Sequence, residues 1–445
     1  MREISVGPGE MESALRSYSG IGKVAVVRIN DHDPVRSIAY LTPSTAIDFG
    51  LFFFSDARST AKGEVFHLYL ESAKAADRLG FKAIWTPERH FTSIGAIYPS
   101  PAVLSAAAAM VTKSIQLRSG SVVLPLHDPV RVAEEWAVVD HLSGGRVSLS
   151  FASGWVPNDF IFSPQDYANR HEVLLEKVLQ VQKLWRGESL SLQNGLGERV
   201  DVAIQPRPLQ KELPTWITTS GSPRTFEDAG KLGANLLTHM VNMNLETLTD
   251  RIRLYRQARK GAGYDPATGM VAVMLHTYVT GEAGDAIAES RPHLLEYFRS
   301  HAEMRRNVAG AAGLNVDVDR AAVEELIELA ADEYINSRSL IGTAGSCAGF
   351  VRILREIGVN EVACFIDFGV EADKVLSSLE ALDQLRRSSS AALNPESVGA
   401  YLKERFAGSV LPERFVVLDK MPLTQAGQID RNALRKISAS KASGC

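Results

Sequence analysis

Short, almost wholly apolar runs alternate with amphipathic stretches along the middle of the chain. The run IDFGLFFF (47–54) is typical of a strand buried on both faces, and apolar residues at helical spacing follow it from about Gly63 to Leu79. Gly80 is in the usual position to end that helix. Further strands are predicted at FKAIWT (81–86), IQLRSGSVVL (115–124), RVSLSF (146–151), PTWITT (214–219), ANLLTHM (234–240), MVAVMLHTYV (270–279) and EVACFID (361–367).

Helical patterns separate these strands, near 101–112, 129–142, 168–186, 224–232, 245–262 and 344–357. Strand–helix units in series over residues 46–385 predict the α/β class and a (β/α)₈ TIM barrel with insertions. A doubly wound parallel sheet is the structural alternative. Since no Gly-rich fingerprint follows the first strand, the barrel is favoured.

Two insertions interrupt the alternation. Residues 187–213 are short, alternating and broken by Gly and Pro, which predicts a hairpin and a loop. Residues 283–340 are helix-rich and far longer than an ordinary connection. If this segment leaves from the C-terminal face of the barrel, it is a candidate lid or substrate wall. The alternative is a helical decoration with no part in chemistry.

The two ends of the chain have a different pattern. Residues 1–43 predict a helix and then strands, while 386–400 are small and polar and predict a linker. A helix (398–406), a strand (413–419) and a turn-rich tail are predicted to follow. Neither end has enough apolar residues for its own core. Together they would form one small α+β domain, with the barrel inserted into one of its loops.

The composition of the chain argues against several classes of protein. The net charge is −4 and the pI about 6.2, whereas a generic binder of nucleic acid or of anionic membranes would be basic. Three cysteines provide no disulfide framework and no zinc spacing, which fits a reducing cytoplasm. No apolar run reaches the ~18 residues of a membrane span. The first residues lack the apolar core of a signal peptide, as though the chain were cut from something longer.

The segment TPERHF (86–91) directly follows the second predicted barrel strand, and strands of a barrel end at its catalytic face. Glu88 and His90 are two titratable groups, with Arg89 between them. A histidine is the natural general acid or base near neutral pH. Alternatively, Glu88 and Arg89 form structural pairs in the rim and His90 is only a satisfied polar group.

Small residues follow two more strands. SGSVVLP (119–125) and FASGWVPNDF (151–160) would let a flat ligand approach the backbone, with Ser153 and Gly154 along a planar ring and Trp155 as a wall. Tight packing against a helix, or a loop with a packed Trp, is the alternative.

A phosphate site is predicted at TTSGSPRT (218–225), where a strand runs through Gly and Ser into a helix that opens near Pro223. Backbone N–H groups at a helix N-terminus, with Ser hydroxyls, suit a phosphate. Arg170 begins another helix and would add charge; helix capping alone is the alternative. With no metal-binding, GxSxG or Walker A motif, a planar, phosphorylated organic cofactor is favoured.

These motifs in order resemble a known family. FGLFFF, AADRLGFKAIWTPERHF, SGSVVLPLHDPVRVAEEWAVVDHLSGGRVSLSFASGW and TTSGSPRTFEDAGKLGANLL look like the bacterial luciferase-like flavin monooxygenases. The resemblance covers about 46–385 and is greatest to the subgroup found within nonribosomal peptide and polyketide assembly lines, in which PERHF and IYPSPAVL follow one another. It implies reduced FMN and O₂ as cofactor and co-substrate, with no metal.

The resemblance also implies roles for individual residues. Ser121 would support the isoalloxazine ring, Ser153 and Gly154 would contact the ring or ribityl chain, and Arg170 with Ser220, Gly221 and Ser222 would hold the phosphate. His90, with Glu88 and Arg89, is the implied catalytic group, and Trp155, Asn158 and His239 are assigned to the substrate pocket.

Two positions depart from bacterial luciferase. That enzyme has its catalytic histidine where this chain has Arg89, and His90 matches the histidine one place later. Its cysteine near the reactive flavin carbon is Ala152 here, which removes a thiol without impairing oxygen chemistry.

The ends are similar to the C-terminal lid subdomain of adenylation domains. ISVGPGEMESALRSYSGIGKVAVV resembles its start, within 1–43, and YLKERFAGSVLPERFVVLDKMPLTQAGQIDRNAL resembles its end, within 395–437, followed by a tail at 438–445. The motif that normally carries a lysine before (V/I/L)DR has Gln428 in that place. A neutral side chain cannot stabilise the charge on carboxylate and phosphate, so the chain is not expected to adenylate a substrate.

The resemblance implies a monooxygenase embedded in a nonribosomal peptide synthetase. Its substrate would be an aminoacyl or peptidyl thioester on a carrier protein, hydroxylated at the α-carbon; on glycine this would lead to a terminal amide. A separate reductase would supply reduced FMN, the rest of the synthetase would be a partner, and two copies could pair. The alternatives are Baeyer–Villiger oxygen insertion, deazaflavin-dependent hydride transfer and a non-catalytic scaffold.

Overall fold

The computed structural model describes the greater part of the chain: residues 7–16, 21–29, 36–43, 46–54, 65–92, 97–311, 320–389, 394–407, 409–418, 421–424 and 428–440. Two compact units emerge. One is Asp48–Phe350 with Ile357–Leu385, and the other consists of the described parts of Met1–Ile47, Val351–Glu356 and Arg386–Cys445.

The described residues form helices and strands that are numbered here in chain order. The helices are α1 (Pro8–Arg16), α2 (His67–Leu79), α3 (Pro101–Val111), α4 (Pro129–Ser143), α5 (Arg170–Trp185), α6 (Pro223–Lys231), α7 (Leu245–Gly261), α8 (Ala283–Ala311), α9 (Arg320–Arg338), α10 (Ala344–Glu356), α11 (Ala372–Ser389), α12 (Pro395–Arg405) and α13 (Arg431–Ser440). The strands are β1 (Ile21–Arg28), β2 (Ser37–Pro43), β3 (Asp48–Phe52), β4 (Ala83–Thr86), β5 (Gln116–Val123), β6 (Val147–Ala152), β7 (Leu190–Gln193), β8 (Arg199–Val202), β9 (Thr215–Thr218), β10 (Asn235–His239), β11 (Val271–Thr280), β12 (Leu340–Thr343), β13 (Glu361–Phe365) and β14 (Arg414–Val417).

Eight parallel strands close into a barrel. Their order is β10-β9-β6-β5-β4-β3-β13-β11, and a parallel pairing of β10 with β11 completes the circle. Each of these eight strands coincides with one of the predicted apolar runs, β6 and β11 extending one residue beyond theirs, so the predicted (β/α)₈ barrel is confirmed. The runs lack polar alternation because their strands have a packed interior on one side and helices on the other.

Local signals end and begin the helices around the barrel. Gly80 has φ 82° after α2 and donates its N–H to the carbonyl of Ala76, as the sequence predicts. The carboxylate of Asp128 accepts from the N–H groups of Val130 and Arg131 and caps α4. The predicted start of the first barrel helix at Gly63 lies outside the described residues.

Both predicted insertions are present. The hairpin in 187–213 is confirmed, since β7 and β8 pair antiparallel. The helix-rich insertion contains α8 and α9 and leaves from the C-terminal end of β11, which is the catalytic face of the barrel. Strand β12 was not predicted, and it pairs with the end of β11 from Thr277 to Thr280, beside the barrel. Helix α11 was not among the predicted helices either.

The second unit is built on a three-stranded sheet in the order β1-β2-β14. Strand β14 pairs parallel with β2, so segments from the two ends of the chain share one sheet. Buried Glu12 on α1 accepts from the N–H of Val26 at 2.8 Å and from the Arg431 guanidinium at 2.7 Å. The same guanidinium donates to the carbonyl of Val26, which fixes the start of α13 against β1.

Two predictions about the C-terminal region were wrong. Residues 386–389, assigned to a linker, continue α11, and α12 begins at Pro395, where Asn394 caps it. Only 390–393 remain of the central linker, and they lie outside the described residues. The tail was expected to be rich in turns, but 431–440 form α13, because Asp430 caps a helix-forming run. Residues 441–445 lie outside the described part.

None of the described helices is both long and apolar enough to cross a membrane.

Candidate active site

A buried carboxylate lies at the mouth of the barrel, just after β4. Glu88 Oε1 is 2.9 Å from His90 Nε2 and 2.5 Å from His127 Nε2, while Oε2 accepts from the N–H of Val123 at 2.7 Å. The Glu88 side chain is 1% exposed and that of His90 8% exposed. The partners of Glu88 are therefore two histidines, and His90 is a buried ring with a hydrogen bond; the catalytic role of these residues stays a prediction.

The environment favours the charged form of Glu88. Burial by itself raises the pKa of this carboxyl, but hydrogen bonds from His127, His90 and the Val123 N–H outweigh burial and lower the pKa overall. Burial by itself lowers the pKa of His127, yet the bond to Glu88 raises it above the ordinary value. The arrangement can hold a proton close to the barrel mouth near neutral pH.

Arg89 lies beside this pair, and its guanidinium is buried among aromatic rings. The guanidinium carbon is 5.2 Å from the ring centre of Phe54 and 5.6 Å from that of Trp155. Burial lowers the pKa of Arg89, and attraction to Asp159 and Tyr297 opposes this. Burial raises the pKa of Asp159 above its usual value, even though Arg89 is near. The site thus combines a carboxylate and two histidines with a buried guanidinium.

The helical insertion provides aromatic side chains at the same mouth. His276, in the middle of β11 and paired with the last residue of β13, is fully buried, and its Nδ1 is 2.9 Å from the hydroxyl of Tyr334 on α9. The ring centre of Tyr297 on α8 is 4.5 Å from that of His276, and Phe365 lies at 4.6 Å. Burial lowers the pKa of His276 well below its ordinary value, so the ring is neutral. Tyr297 also interacts electrostatically with the Arg89 guanidinium. Helix α8 of the insertion therefore lies close to the predicted catalytic residues.

The predicted ring-binding residues lie at the ends of adjacent strands. Ser121 is in an irregularity of β5, where the register with β6 shifts between Gly120 and Val122. Its hydroxyl donates to Thr218 Oγ1 at 2.6 Å, and Ser121 is 7% exposed. Ser153 and Gly154 follow β6 and are partly exposed. A Cβ at Gly154 would come within 2.8 Å of Val123, and the glycine has φ 75°, so a side chain here would be strained.

The predicted phosphate-binding residues lie on the first turns of two helices. Ser222 caps α6 with an extended backbone and no side-chain cap hydrogen bond, and Ser220 and Gly221 precede it. Arg170 begins α5; its Nε donates to the Gly154 carbonyl at 3.2 Å and its Nη1 to the Tyr167 carbonyl at 2.9 Å. An ion pair of 2.8 Å between Glu172 and Arg224 joins the beginnings of α5 and α6. The structure therefore brings the two predicted halves of the phosphate site to one edge of the mouth.

The donors at this edge fit a flavin mononucleotide. Backbone N–H groups at the start of α6, exposed Ser hydroxyls and a guanidinium suit a phosphate dianion. The small residues after β5 and β6 leave backbone accessible to a planar ring. Within the described residues, no group of three or more His, Cys, Asp or Glu is arranged as a metal site.

The three predicted pocket residues occupy different parts of the mouth. Trp155 is 37% exposed and contacts the Arg89 guanidinium, as given above. Asn158 is exposed on a 3-10 turn over Pro157–Phe162. His239 ends β10, is partly buried and accepts the N–H of Val241 at its Nδ1. Only Trp155 is thereby placed directly against the predicted catalytic segment.

Sequence reasoning missed His127, Asp159, His276 and Tyr297. A signal for His127 exists in the chain, because LPLHDP follows a predicted barrel strand just as TPERHF does. No comparable signal exists for Tyr297, which sits in the middle of an amphipathic helix and reaches the site only through the packing of the insertion.

Comparison with known proteins identifies the barrel. The family described as "Luciferase-like monooxygenase" matches residues 47–361. A 4-hydroxyprotoasukamycin monooxygenase of Streptomyces nodosus subsp. asukaensis is 29% identical over 64% of this chain and 76% of its own length. The oxygenase component of a flavin-dependent trigonelline monooxygenase of Acinetobacter baylyi is 24% identical over 70% of this chain and 86% of its own.

Solved structures show the same fold. The oxygenating constituent of 3,6-diketocamphane monooxygenase from Pseudomonas putida, a type II Baeyer–Villiger enzyme in complex with FMN, has a TM-score of 0.61 at 19% identity and covers 79% of this chain and 100% of its own. An F420-dependent secondary alcohol dehydrogenase has a TM-score of 0.59 at 17% identity, over 78% of this chain and 99% of its own.

Proposed function

The chain belongs to the luciferase-like monooxygenase family, whose members are flavin-dependent, and we propose that it hydroxylates the α-carbon of an aminoacyl or peptidyl thioester carried on a synthetase carrier protein. Reduced FMN from a separate reductase and O₂ would be consumed. The observation that carries the proposal is the buried Glu88–His90 pair, a proton acceptor at the mouth of a barrel of this family. A thioester acidifies its α-carbon, so its oxidation requires such a base.

The relatives support the use of FMN. One matching structure holds FMN, and two relatives are described as an oxygenase component or an oxygenating constituent, which implies a partner that reduces the flavin. In this chain Arg170, Ser220, Gly221 and Ser222 would hold the phosphate, and Ser121, Ser153 and Gly154 would lie along the ring. Bound reduced FMN would supply the electrons that activate oxygen.

The protein's own groups would prepare the substrate. His90 would take the α-proton while Glu88 fixes its ring and stabilises the imidazolium. Arg89, buried among the rings of Phe54 and Trp155, would stabilise negative charge that develops on the thioester oxygen, because a preorganised cation acts strongly where water is excluded. Tyr297 and its neighbours on the insertion would close the mouth over the reacting carbon.

The small unit supports a carrier-bound substrate. Its segments resemble the two parts of an adenylation lid subdomain, which would place the barrel inside a synthetase module. The Thr424 N–H donates to the Gln428 carbonyl at 2.7 Å, and the Gln428 N–H donates to Thr424 Oγ1 at 3.3 Å. Gln428 brings no positive charge to the position of the usual lysine. This fits a module in which the barrel, rather than this lid, performs the chemistry.

The test is oxidation of a peptidyl-glycyl thioester on a carrier protein, incubated with reduced FMN and O₂ and followed by mass spectrometry. We expect one oxygen atom from ¹⁸O₂ at the glycine α-carbon. Cleavage of the bond between that carbon and its nitrogen then leaves a terminal amide on the peptide and the label in a glyoxylyl thioester on the carrier. His90→Ala should bind FMN normally and form no product, whereas His141→Ala, an exposed histidine at the end of α4, should match the wild type.

Each rival function has its own outcome in that assay. Label between the carbonyl carbon and its neighbour would indicate Baeyer–Villiger insertion. Tight preference for a deazaflavin such as F420, with hydride transfer and no label, would replace the monooxygenase with a dehydrogenase like the structural neighbour. Normal FMN binding with no product from any loaded carrier would support a scaffold.

A further inference from the structure

Two histidines share one oxygen of Glu88, and they differ in their access to solvent. His90 Nε2 and His127 Nε2 both lie within hydrogen-bond distance of Glu88 Oε1, at 2.9 and 2.5 Å. The His90 side chain is 8% exposed, whereas that of His127 is 35% exposed. The carboxylate therefore connects a buried ring with a ring that reaches water.

His90 has little direct contact with bulk water because aromatic rings cover it. The ring centre of Phe162 is 5.0 Å from that of His90, in an edge-on arrangement, and that of Phe91 is 5.6 Å away. Both phenylalanines are more than half exposed, so their outer faces are turned to solvent while His90 stays beneath them. A proton that His90 accepts needs another way out of the site.

The position of His127 is fixed by its surroundings. It follows a 3-10 turn over Leu124–Leu126, and the Lys177 ammonium on α5 donates to the carbonyls of Pro125 and His127 at 3.1 and 2.9 Å. Lys177 in turn pairs with Asp166 at 3.1 Å. The Val123 N–H bond to Glu88 ties the same segment to the carboxylate. Lys177 thus fixes the backbone of His127, and the Val123 N–H fixes the carboxylate of Glu88, so both partners of the contact are held in position.

The charged groups that face His127 stabilise its protonated form. Burial alone lowers the pKa of His127, but the hydrogen bond to Glu88 and the negative charge of Glu135 on α4 outweigh burial and the opposing charge of Lys177 on α5. The net effect raises the pKa of His127, while the pKa of Glu88 is lowered. The carboxylate therefore holds a proton more weakly than the exposed ring of His127 does.

We propose that Glu88 and His127 form a relay that carries the proton accepted by His90 to solvent; this proposal rests on the proposed function, in which His90 is the base. His90 accepts the substrate proton at Nδ1 and releases its Nε2 proton to Glu88 Oε1. This step uses the neutral His127 tautomer that carries its proton on Nδ1, because Nε2 must be unprotonated to accept. The protonated Glu88 Oε1 donates to His127 Nε2, and the resulting imidazolium releases its Nδ1 proton to water. One proton enters and one leaves. His127 is then a positioning residue that acts through Glu88 and does not contact the substrate.

The experiment compares His127→Ala and His127→Gln with the wild type at low and high imidazole concentrations. Glutamine keeps an N–H donor at the position of the histidine Nε2, so it can bind Glu88 but cannot carry a proton. We expect kcat to fall at least about tenfold in both variants at low buffer, with unchanged KM and FMN affinity, and to recover with added imidazole. If His127→Gln restores the rate without imidazole, or if His127→Ala leaves kcat unchanged, the relay is wrong and His127 has a structural role.

A second measurement decides the relay even if the proposed function fails. Exchange of the His90 ring N–H with water, followed by NMR in the protein without flavin or substrate, should slow in His127→Gln and stay unchanged in His141→Ala. Equal exchange in wild type and His127→Gln would contradict the relay. Absence of product from the wild type would contradict the proposed function and leave this exchange measurement to judge the relay.

Discussion

Two buried glutamates at opposite ends of the barrel have different partners. At the beginning of β13, Glu361 accepts from the Arg118 guanidinium at 2.6 Å and from Trp85 Nε1 at 2.8 Å. The guanidinium lies between the rings of Trp85 and Trp216, 4.8 and 4.7 Å from their centres. At the mouth, Glu88 is bound by two histidines.

The partners decide what each carboxylate can do. Arginine keeps its proton in proteins, so the Glu361–Arg118 pair is a permanent part of the barrel floor. Histidine gains and loses a proton near neutral pH, so the groups around Glu88 can move one. Close packing supports the first role: a Cβ at Gly50 would lie 2.8 Å from Glu361 Oε1, which shows how completely the floor is filled. The same residue type therefore has a permanently charged partner at one end of the barrel and titratable partners at the other.

The largest expected effect comes from exchanging Glu361 for glutamine. Because Arg118 would remain buried without a counter-charge, we expect Glu361→Gln to lower the free energy of unfolding by about 3–5 kcal/mol. In the matched variant Glu88→Gln the histidine partners can become neutral, so the free energy of unfolding should fall by only ~1–3 kcal/mol. Product formation by this variant should fall about 100-fold or more. Denaturant unfolding with tryptophan fluorescence measures the first quantity. An equal decrease in the free energy of unfolding for the two variants would contradict the proposed difference between the carboxylate at the barrel floor and the one at the mouth.

Arg170 is a third charged residue to compare with these two glutamates. Within the described residues, its guanidinium donates hydrogen bonds to two backbone carbonyls and none to a carboxylate. We expect Arg170→Ala to weaken FMN binding about 10- to 100-fold, since a charged hydrogen bond to phosphate contributes ~1.5–3 kcal/mol. Fluorescence titration with FMN measures this, and Arg131→Ala, an exposed residue of α4, is the control. Unchanged affinity would place the phosphate elsewhere.

The smallest expected effect is a pH dependence of stability confined to the mouth. The pKa of His127 is raised from 6.5, so its contribution is complete below about 6.5 and is lost as the pH rises through the folded value. The pKa of Glu88 is lowered from 4.5, so its contribution is present above about 4.5 and is lost in acid. The stability difference between wild type and Glu88→Gln should thus be larger near about pH 6 than about pH 9. The Glu361→Gln difference should not change over that range; a parallel change would contradict the comparison.

Much of the barrel could be predicted because its strands and helices are encoded locally. An apolar run such as 47–54 has few other ways to bury itself, and Gly80 ends a helix wherever the chain leads next. The linker and tail near α12 and α13 were less predictable. Small and polar residues there carry no strong periodicity, so capping by Asn394 and Asp430 decided the helix boundaries.

The candidate site could be predicted only in part. The residues that follow strands, Glu88, His90 and Ser153 among them, were identifiable because every parallel strand of a barrel ends at the same face. The partners of those residues were not. Neither the bond of His127 to Glu88 nor the approach of Tyr297 to Arg89 follows from spacing, since each joins segments that only the closed barrel brings together.

The sequence by itself determined the succession of strands and helices, the positions at which polar side chains leave the strands, and the absence of a positive charge at Gln428. These are properties of neighbouring residues, and short-range sterics and hydrophobic burial dictate them. The tertiary structure decided which glutamate met arginine and which met histidine. Glu361 and Arg118 are 243 residues apart, and Glu88 and His127 are 39 apart. The chemical character of each carboxylate depends on a partner that local sequence does not specify, because closure of the barrel selects it.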